Sequence, residues 1–295
     1  VLIKIFFRLY KVQMKNFINI LPILLVLLFT GCRQKTIGLN KDSSFTIEKE
    51  VAYGTEPDQE LDLYTPEKPA GKDVFIIIHG GGWRGGNKSQ LTFFTYSLMK
   101  KFPDNIFVNI NYRLASSSRF ALPSQTDDIK SVITYVEKRL KFKPRYILLG
   151  NSAGGHLSML YAYHFNQNKN IKAVVNIVGP ADLNDPGFKN YDDYAFVEKN
   201  LVDPKIIKNN ISLMNSGSPA YWINETSAPT LSFYGTQDRV VPLSQKRILD
   251  SVLLKNNVYH ESYEFNGTHT SWENQPNSTL LIDKIDLFLK NIAKK

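Results

Sequence analysis

The chain has 295 residues, of which 43% are apolar and 21% charged. That balance is ordinary for a globular protein, and the length suits one large domain or two small ones, α/β folds often using it as one, with a core that needs neither a metal nor a disulfide to hold it. A lone cysteine, Cys32, excludes an intramolecular disulfide, and the net charge of +9 contains no basic run of the kind that grips nucleic acid.

Four of the positive charges, Lys4, Arg8, Lys11 and Lys15, precede Cys32 with no acid among them. From Phe17 to Phe29 runs an apolar stretch of 13 residues, broken by Pro22 and followed by Thr30-Gly31-Cys32. The stretch is short of the ~20 residues that cross a bilayer comfortably. A basic start, an apolar run and small residues at a cut have the layout of a signal peptide. The cysteine after small residues resembles a bacterial lipobox, with Phe29 where that pattern usually has Leu. The expectation is an exported protein, acylated at Cys32 and tethered to a bacterial membrane on its periplasmic or cell-surface face. Each buried lipid CH₂ contributes ~0.8 kcal/mol, so an anchor of this kind needs no transmembrane helix. An uncleaved anchor and an ordinary secretory signal are the alternatives. The signal is complete from Met14 onward, so translation is expected to start there; a precursor mass beginning at Val1 would count against this. The expected organisation is therefore an upstream segment and signal over residues 1–31, a polar tether over 32–44, and one domain over 45–295.

In chain order, Phe45–Tyr53 and Leu61–Tyr64 alternate with period two around the turn Gly54-Thr55-Glu56-Pro57-Asp58, which predicts an antiparallel pair. Val74–Ile78, Ile106–Ile110, Tyr146–Leu149, Ala173–Val178 and Thr230–Tyr234 are continuous apolar runs, as strands buried on both faces of a parallel sheet require. Val258–Phe265 is half polar and predicts a strand near the sheet edge. Apolar spacing of three to four predicts helices over Ser89–Lys101, Ser124–Leu140, Ala153–His164, Leu243–Lys255 and Ser278–Ala293. Alternating strands and helices imply an α/β domain with a mostly parallel sheet covered on both faces. Residues 180–227 break the rhythm with Asn, Asp, Gly and Pro, and read as an insertion after the sixth predicted strand.

Gly150-Asn151-Ser152-Ala153-Gly154 follows one predicted strand and opens the next helix. A nucleophile elbow needs this context: the glycines permit a sharp turn that exposes the serine hydroxyl, and the helix start offers free N–H groups. The rival reading is a tight turn with a capping serine. His79-Gly80-Gly81-Gly82-Trp83 ends another predicted strand, and its glycines let backbone N–H groups converge on one point. An oxyanion requires such donors, which are assigned to Gly81, Gly82 and Ala153. A phosphate-binding loop is the competing reading, but neither G-x-G-x-x-G nor G-K-[ST] spacing occurs. His79 reads as a loop-holding residue.

With Arg84-Gly85-Gly86-Asn87-Lys88, Asn111-Tyr112-Arg113-Leu114, Pro123 with Asp128, and GNSAGGH at 150–156, these motifs resemble the esterase branch of the α/β-hydrolases. That branch includes hormone-sensitive-lipase-like esterases and acetyl-xylan or feruloyl esterase-like carbohydrate esterases. The resemblance spans roughly residues 48–292 and implies a mostly parallel eight-stranded sheet. Asn151 stands where the family usually has an acid. The fold orders its catalytic residues Ser, acid, His. Asp238, in the loop after Thr230–Tyr234, resembles the family's acid, with Asp182 as its rival. Of five histidines, His269 alone lies in a loop between the last predicted strand and helix, where the family histidine is found. The resemblance thus implies a carboxylic ester hydrolase with Ser152, Asp238 and His269 as its catalytic residues.

Trp83, Trp222 and Trp272 are candidates for lining a substrate cleft, against the plainer reading of packing. The expected substrate is a small ester or an acylated carbohydrate. An aryl formamidase-like amide hydrolase and a non-catalytic binding module on a hydrolase scaffold are the alternatives. No H-x-x-x-H spacing or acidic cluster occurs, so no metal or other cofactor is expected.

Overall fold

A computed structural model describes residues 34–40, 43–69, 71–140, 142–165, 170–207 and 210–294. The signal segment and Cys32 lie outside these residues. In chain order the regular elements are β1 (Gln34–Asn40), β2 (Ser43–Ala52), β3 (Glu60–Pro66), β4 (Asp73–Ile78), α1 (Thr92–Lys101), β5 (Ile106–Ile110), α2 (Ser124–Leu140), β6 (Arg145–Asn151), α3 (Ala153–Leu160) and β7 (Ile171–Ile177). The remainder are α4 (Tyr194–Asn200), α5 (Leu213–Gly217), α6 (Pro219–Trp222), β8 (Thr230–Gly235), α7 (Leu243–Lys255), β9 (His260–Phe265) and α8 (Asn277–Ile292).

The strands form one nine-stranded sheet in the order β1-β2-β3-β5-β4-β6-β7-β8-β9. From β5 to β9 the neighbours are parallel, and β1, β2, β3 and β5 pair antiparallel in turn. This is an α/β-hydrolase sheet with helices on both faces. The apolar runs behave as expected. In β4, Val74, Ile76 and Ile78 enter one core with Ile129, Val132 and Val136 of α2 and Leu249 and Leu253 of α7. Phe75 and Ile77 enter the other, with Phe94 and Leu98 of α1 and Leu281, Ile285 and Phe288 of α8. Each such side chain contributes about 1.5–3 kcal/mol on full burial, which is why a strand with no polar face is stable only between two helical layers. The half-polar β9 occupies the sheet edge, where one side is free of a neighbouring strand.

Several expectations need correction. The sheet has nine strands, because residues 34–40 of the expected tether form β1 on the outer edge of β2. The sequence QKTIGLN offers little apolar alternation. An edge strand is held largely by backbone hydrogen bonds, which leave no hydrophobic pattern to read. The helix expected over Ser89–Lys101 begins as a 3₁₀ turn, Lys88–Leu91, capped by Asn87. The helix after Ser152 becomes a π-helical turn at Tyr161–Phe165. The insertion carries α4, α5 and α6, and its Leu183, Phe188, Val197 and Leu201 are buried in the same core as β4 and α2. It is packed onto the domain rather than standing apart. Among the described residues no helix is long and apolar enough to cross a membrane.

Candidate active site

The turn from β6 into α3 places Ser152 at φ 53° and ψ −123°, a conformation that costs a non-glycine residue on the order of 1–3 kcal/mol. The surroundings over-determine it. Ser152 N donates to Ile177 O at 2.8 Å, and Ser152 O accepts from His156 N at 3.0 Å. The turn also needs glycine at 154, where a Cβ would stand 2.0 Å from Ile78 O. The helix start is thereby seated directly on the end of β4.

Asp238 and His269 come from the loops that follow β8 and β9. The His269 ring bridges the other two side chains, with Nε2 2.9 Å from Ser152 Oγ and Nδ1 2.7 Å from Asp238 Oδ2. A carboxylate only accepts, so Nδ1 carries the proton and Nε2 is left to accept from the serine hydroxyl. The Asp238 side chain is fully buried. Its Oδ1 accepts from Val240 N at 2.8 Å and Val241 N at 2.9 Å, so both oxygens are fixed in direction. The rival Asp182 is occupied elsewhere: its Oδ1 accepts from Asn184 N at 2.9 Å and Ser218 Oγ at 3.3 Å.

The glycine-rich loop after β4 has three consecutive residues at positive φ: Gly81 at 118°, Gly82 at 58° and Trp83 at 62°. A Cβ on Gly81 would meet Gly85 O at 2.2 Å, so the loop closes only with glycine there. Gly81 and Gly82 line the same cavity as Ser152. Ala153 is buried at the first position of α3, where a helix N–H has no intrahelical acceptor. A hydroxyl polarised by an imidazole, beside a glycine-rich loop and the first turn of a helix, is an arrangement that can add an oxygen nucleophile to a carbonyl and hold the resulting oxyanion.

Two buried histidines hold this loop. Nδ1 of His79 donates to Gly80 O at 2.6 Å, its ring stacks on Tyr112 at 4.3 Å, and Tyr112 OH donates to His79 O at 2.9 Å. The indole N–H of Trp83 donates to His156 Nδ1 at 3.1 Å, and His156 Nε2 donates to Gly217 O at 2.7 Å. Trp83 O accepts from Gln125 Nε2 at 2.6 Å and Ala115 N at 2.9 Å. Trp83 is thus clamped at both ends, and His156 ties the loop to the insertion. Burial pushes the pKa of both histidines down to about 4, so both are neutral at ordinary pH.

The cavity over Ser152 has a volume of about 540 Å³. None of the three tryptophans lines it. Trp83 is clamped as described. Trp272 is fully buried against Phe93 and Phe94. Trp222 donates to Ser216 O at 3.0 Å and stacks on His164. A large aromatic gains more from burial than from exposure, and here packing takes all three. The walls instead carry Arg84, Gln90, Tyr191, Asp193 and Glu273. Burial raises the pKa of Glu273, and the neighbouring His269 lowers it, the first effect being larger. A charged residue four places beyond His269 was a signal available in the sequence for Glu273. Nothing in the irregular stretch around Tyr191 and Asp193 marked them. Among the described residues no group of three or more His, Cys, Asp or Glu is placed to hold a metal ion.

Comparison with known proteins gives a consistent fold. Esterase LipC of Mycobacterium tuberculosis is 26% identical over 231 residues, covering 71% of this chain and 56% of its own length. Kynurenine formamidase avaC of Aspergillus versicolor is 36% identical over 97 residues, 30% of this chain and 34% of its own. The chain therefore spans only about half, or less, of the length of these relatives. A solved structure described as a truncated form of a carbohydrate esterase from gut microbiota superposes with a TM-score of 0.70 at 22% identity, covering 87% of this chain and 100% of that one. Esterase B from Lactobacillus rhamnosis superposes at 0.67 with 19% identity, covering 86% and 87%. At these identities the superpositions speak to the α/β-hydrolase fold. The BD-FAE family matches residues 61–253, which is more than half of the chain and includes β4, the glycine-rich loop, Ser152 and Asp238. The chain belongs to the BD-FAE family and is built on the α/β-hydrolase fold.

Proposed function

We propose that this protein is a carboxylic ester hydrolase that works through an acyl-enzyme on Ser152, with short acyl groups on polyhydroxy alcohols such as carbohydrates as its substrates. One observation carries the reading: the unbroken hydrogen-bonded series Ser152–His269–Asp238, at 2.9 and 2.7 Å. In this mechanism His269 Nε2 takes the Ser152 proton as Oγ attacks the carbonyl. Asp238 stabilises the imidazolium and fixes its tautomer. The N–H groups of Gly81, Gly82 and Ala153 receive the oxyanion. His269 then protonates the departing alcohol, and a water activated by the same nitrogen releases the acid. The polar groups among the lining residues, Arg84, Gln90, Tyr191, Asp193 and Glu273, beside the apolar Leu91 and Val240, support a polar alcohol. Resemblance to a solved carbohydrate esterase points the same way. The test is turnover of a short-chain aryl ester and of acetylated xylan by the wild type and by Ser152→Ala. Retained turnover in the folded variant removes the nucleophile assignment, and failure on every acetylated carbohydrate removes the alcohol assignment.

A formamidase reading is favoured by one finding, the 36% identity to a kynurenine formamidase over 97 residues. The same residues would then cleave an aryl formamide, and kcat/KM for matched aryl formamides and aryl acetates separates the two. We also propose that Cys32 is acylated and holds the domain at a bacterial membrane. Incorporation of labelled palmitate, lost in Cys32→Ala, is the measurement that decides it.

A further inference from the structure

We propose that the cavity over Ser152 selects the alcohol part of its substrate by charge, admitting neutral and cationic polyhydroxy alcohols and disfavouring anionic ones, through Arg84, Asp193 and Glu273. This rests on Ser152 being the nucleophile, as proposed above, and goes beyond it by assigning a role to the charged side chains that share the cavity with Ser152 and His269.

All three side chains line the cavity that holds Ser152 and His269. Arg84 follows the glycine-rich loop, Asp193 belongs to the insertion, and Glu273 closes the 3₁₀ turn Ser271–Glu273 after His269. Arg84 and Asp193 form an ion pair at 2.6 Å, with each side chain 44% exposed. The pair is fixed from behind. Tyr191 OH donates to the second Asp193 oxygen at 3.3 Å, and the Arg84 guanidinium lies 4.9 Å from the centre of the Phe196 ring. Such a pair is close to neutral as a whole, yet its exposed edges keep spare N–H donors and carboxylate lone pairs for a hydroxylated ligand.

Glu273 differs. Among the described residues it has neither an ion pair nor a side-chain hydrogen bond, and no other Lys or Arg lines the cavity besides Arg84. With Arg84 committed to Asp193, the lining carries the negative charge of Glu273 with no Lys or Arg to neutralise it and only His269 beside it. Sugar hydroxyls can donate to Glu273 and Asp193 and accept from Arg84, whereas a carboxylate on the same ring meets like charge with no free cation to receive it. Of the net charge of +9, four positives (Lys4, Arg8, Lys11 and Lys15) precede Cys32, which leaves 9 − 4 = +5 on the rest of the chain; that long-range field draws anions inward and the local wall opposes them. Discrimination by a repulsive group of this kind acts within a few ångströms and weakens as salt screens it.

The experiment uses the whole protein and three mono-O-acetyl methyl glucosides that differ only at C6: hydroxymethyl, carboxylate and aminomethyl. Wild type should hydrolyse the neutral and cationic esters with kcat/KM roughly tenfold above the anionic one at low salt, with the gap shrinking at high salt. Glu273→Gln should narrow the gap. Asp193→Asn should narrow it as well by freeing Arg84, and Glu273→Lys should invert the order. Equal rates on the three esters in wild type, or a gap untouched by both Glu273→Gln and Asp193→Asn, would overturn the inference. Turnover of an aryl acetate but of none of the glucosides would also overturn it, leaving the nucleophile intact. Turnover surviving in Ser152→Ala strikes instead at the nucleophile. Competitive inhibition of aryl acetate hydrolysis by methyl glucoside against methyl glucuronide repeats the comparison in wild type alone. Weaker inhibition by the glucuronide is expected there, and equal inhibition counts against the charge wall.

Discussion

The site has two halves that are held in different ways. One half, from the strand ends, consists of Ser152, His269, Asp238 and the glycine-rich loop. Its positions are fixed by backbone: a serine at φ 53°, a glycine whose φ is 118°, and a carboxylate receiving two main-chain N–H groups at 2.8 and 2.9 Å. The other half, Arg84, Tyr191, Asp193 and Glu273, is built from side chains that are partly exposed, with an ion pair and a 3.3 Å hydrogen bond as its main internal ties. The difference teaches where chemistry and selectivity reside. Bond-making tolerates little displacement and is anchored to the sheet, whereas the recognition of the alcohol proposed above falls to side chains that can change without disturbing the sheet.

Substitutions can break or sharpen that contrast. In the backbone-fixed half, Ser152→Ala should lower kcat by roughly 10⁴-fold or more, read with an aryl acetate on protein shown to be folded by circular dichroism. Asp238→Asn should cost roughly 10³–10⁴-fold, because an amide in that position no longer fixes the protonated Nδ1 of His269. His156 joins the halves. His156→Phe should lower kcat roughly 10- to 100-fold while KM moves less than about threefold, since it unclamps Trp83 and with it the loop proposed to supply the oxyanion donors. A change confined to KM would show that the bridge to Gly217 serves the insertion and not the loop. In the side-chain half, Tyr191→Phe removes one weak hydrogen bond and should raise KM by only about two- to threefold, with kcat nearly constant.

The buried histidines add a stability test. His79 and His156 have pKa values lowered from 6.5 to about 4. Between those limits the unfolded chain binds protons that the folded protein refuses. Stability is therefore full above pH 6.5 and is lost as pH falls toward 4, by up to roughly 1.4 kcal/mol per pH unit for each histidine. Urea unfolding at a series of pH values should show this slope, and His156→Gln should reduce it. An unchanged slope would mean that His156 is not the group being titrated.

Much of the fold was legible because its cause is local. Val74–Ile78 is apolar on both faces, and only a doubly covered strand accommodates that. α2 and α7 occupy the predicted bounds Ser124–Leu140 and Leu243–Lys255 because their apolar spacing was uninterrupted. β1 was not legible, since an edge strand draws on its neighbour's backbone rather than on its own side chains. The tryptophans misled for a related reason. Residue type proposes either packing or recognition, and only the arrangement around Trp83, Trp222 and Trp272 decides between them.

What the amino-acid order determined by itself was the sheet-forming runs, the sharp turn at Ser152 and the glycine-rich loop, because each depends on neighbours a few residues away. What the tertiary structure alone decided was the meeting of residues 152, 238 and 269, the tie from Trp83 through His156 to Gly217, and the choice of Arg84, Asp193 and Glu273 as cavity walls. Those contacts join segments as much as 117 positions apart. No local pattern encodes such distances; they follow from the sheet order, which brings separate loops to one rim.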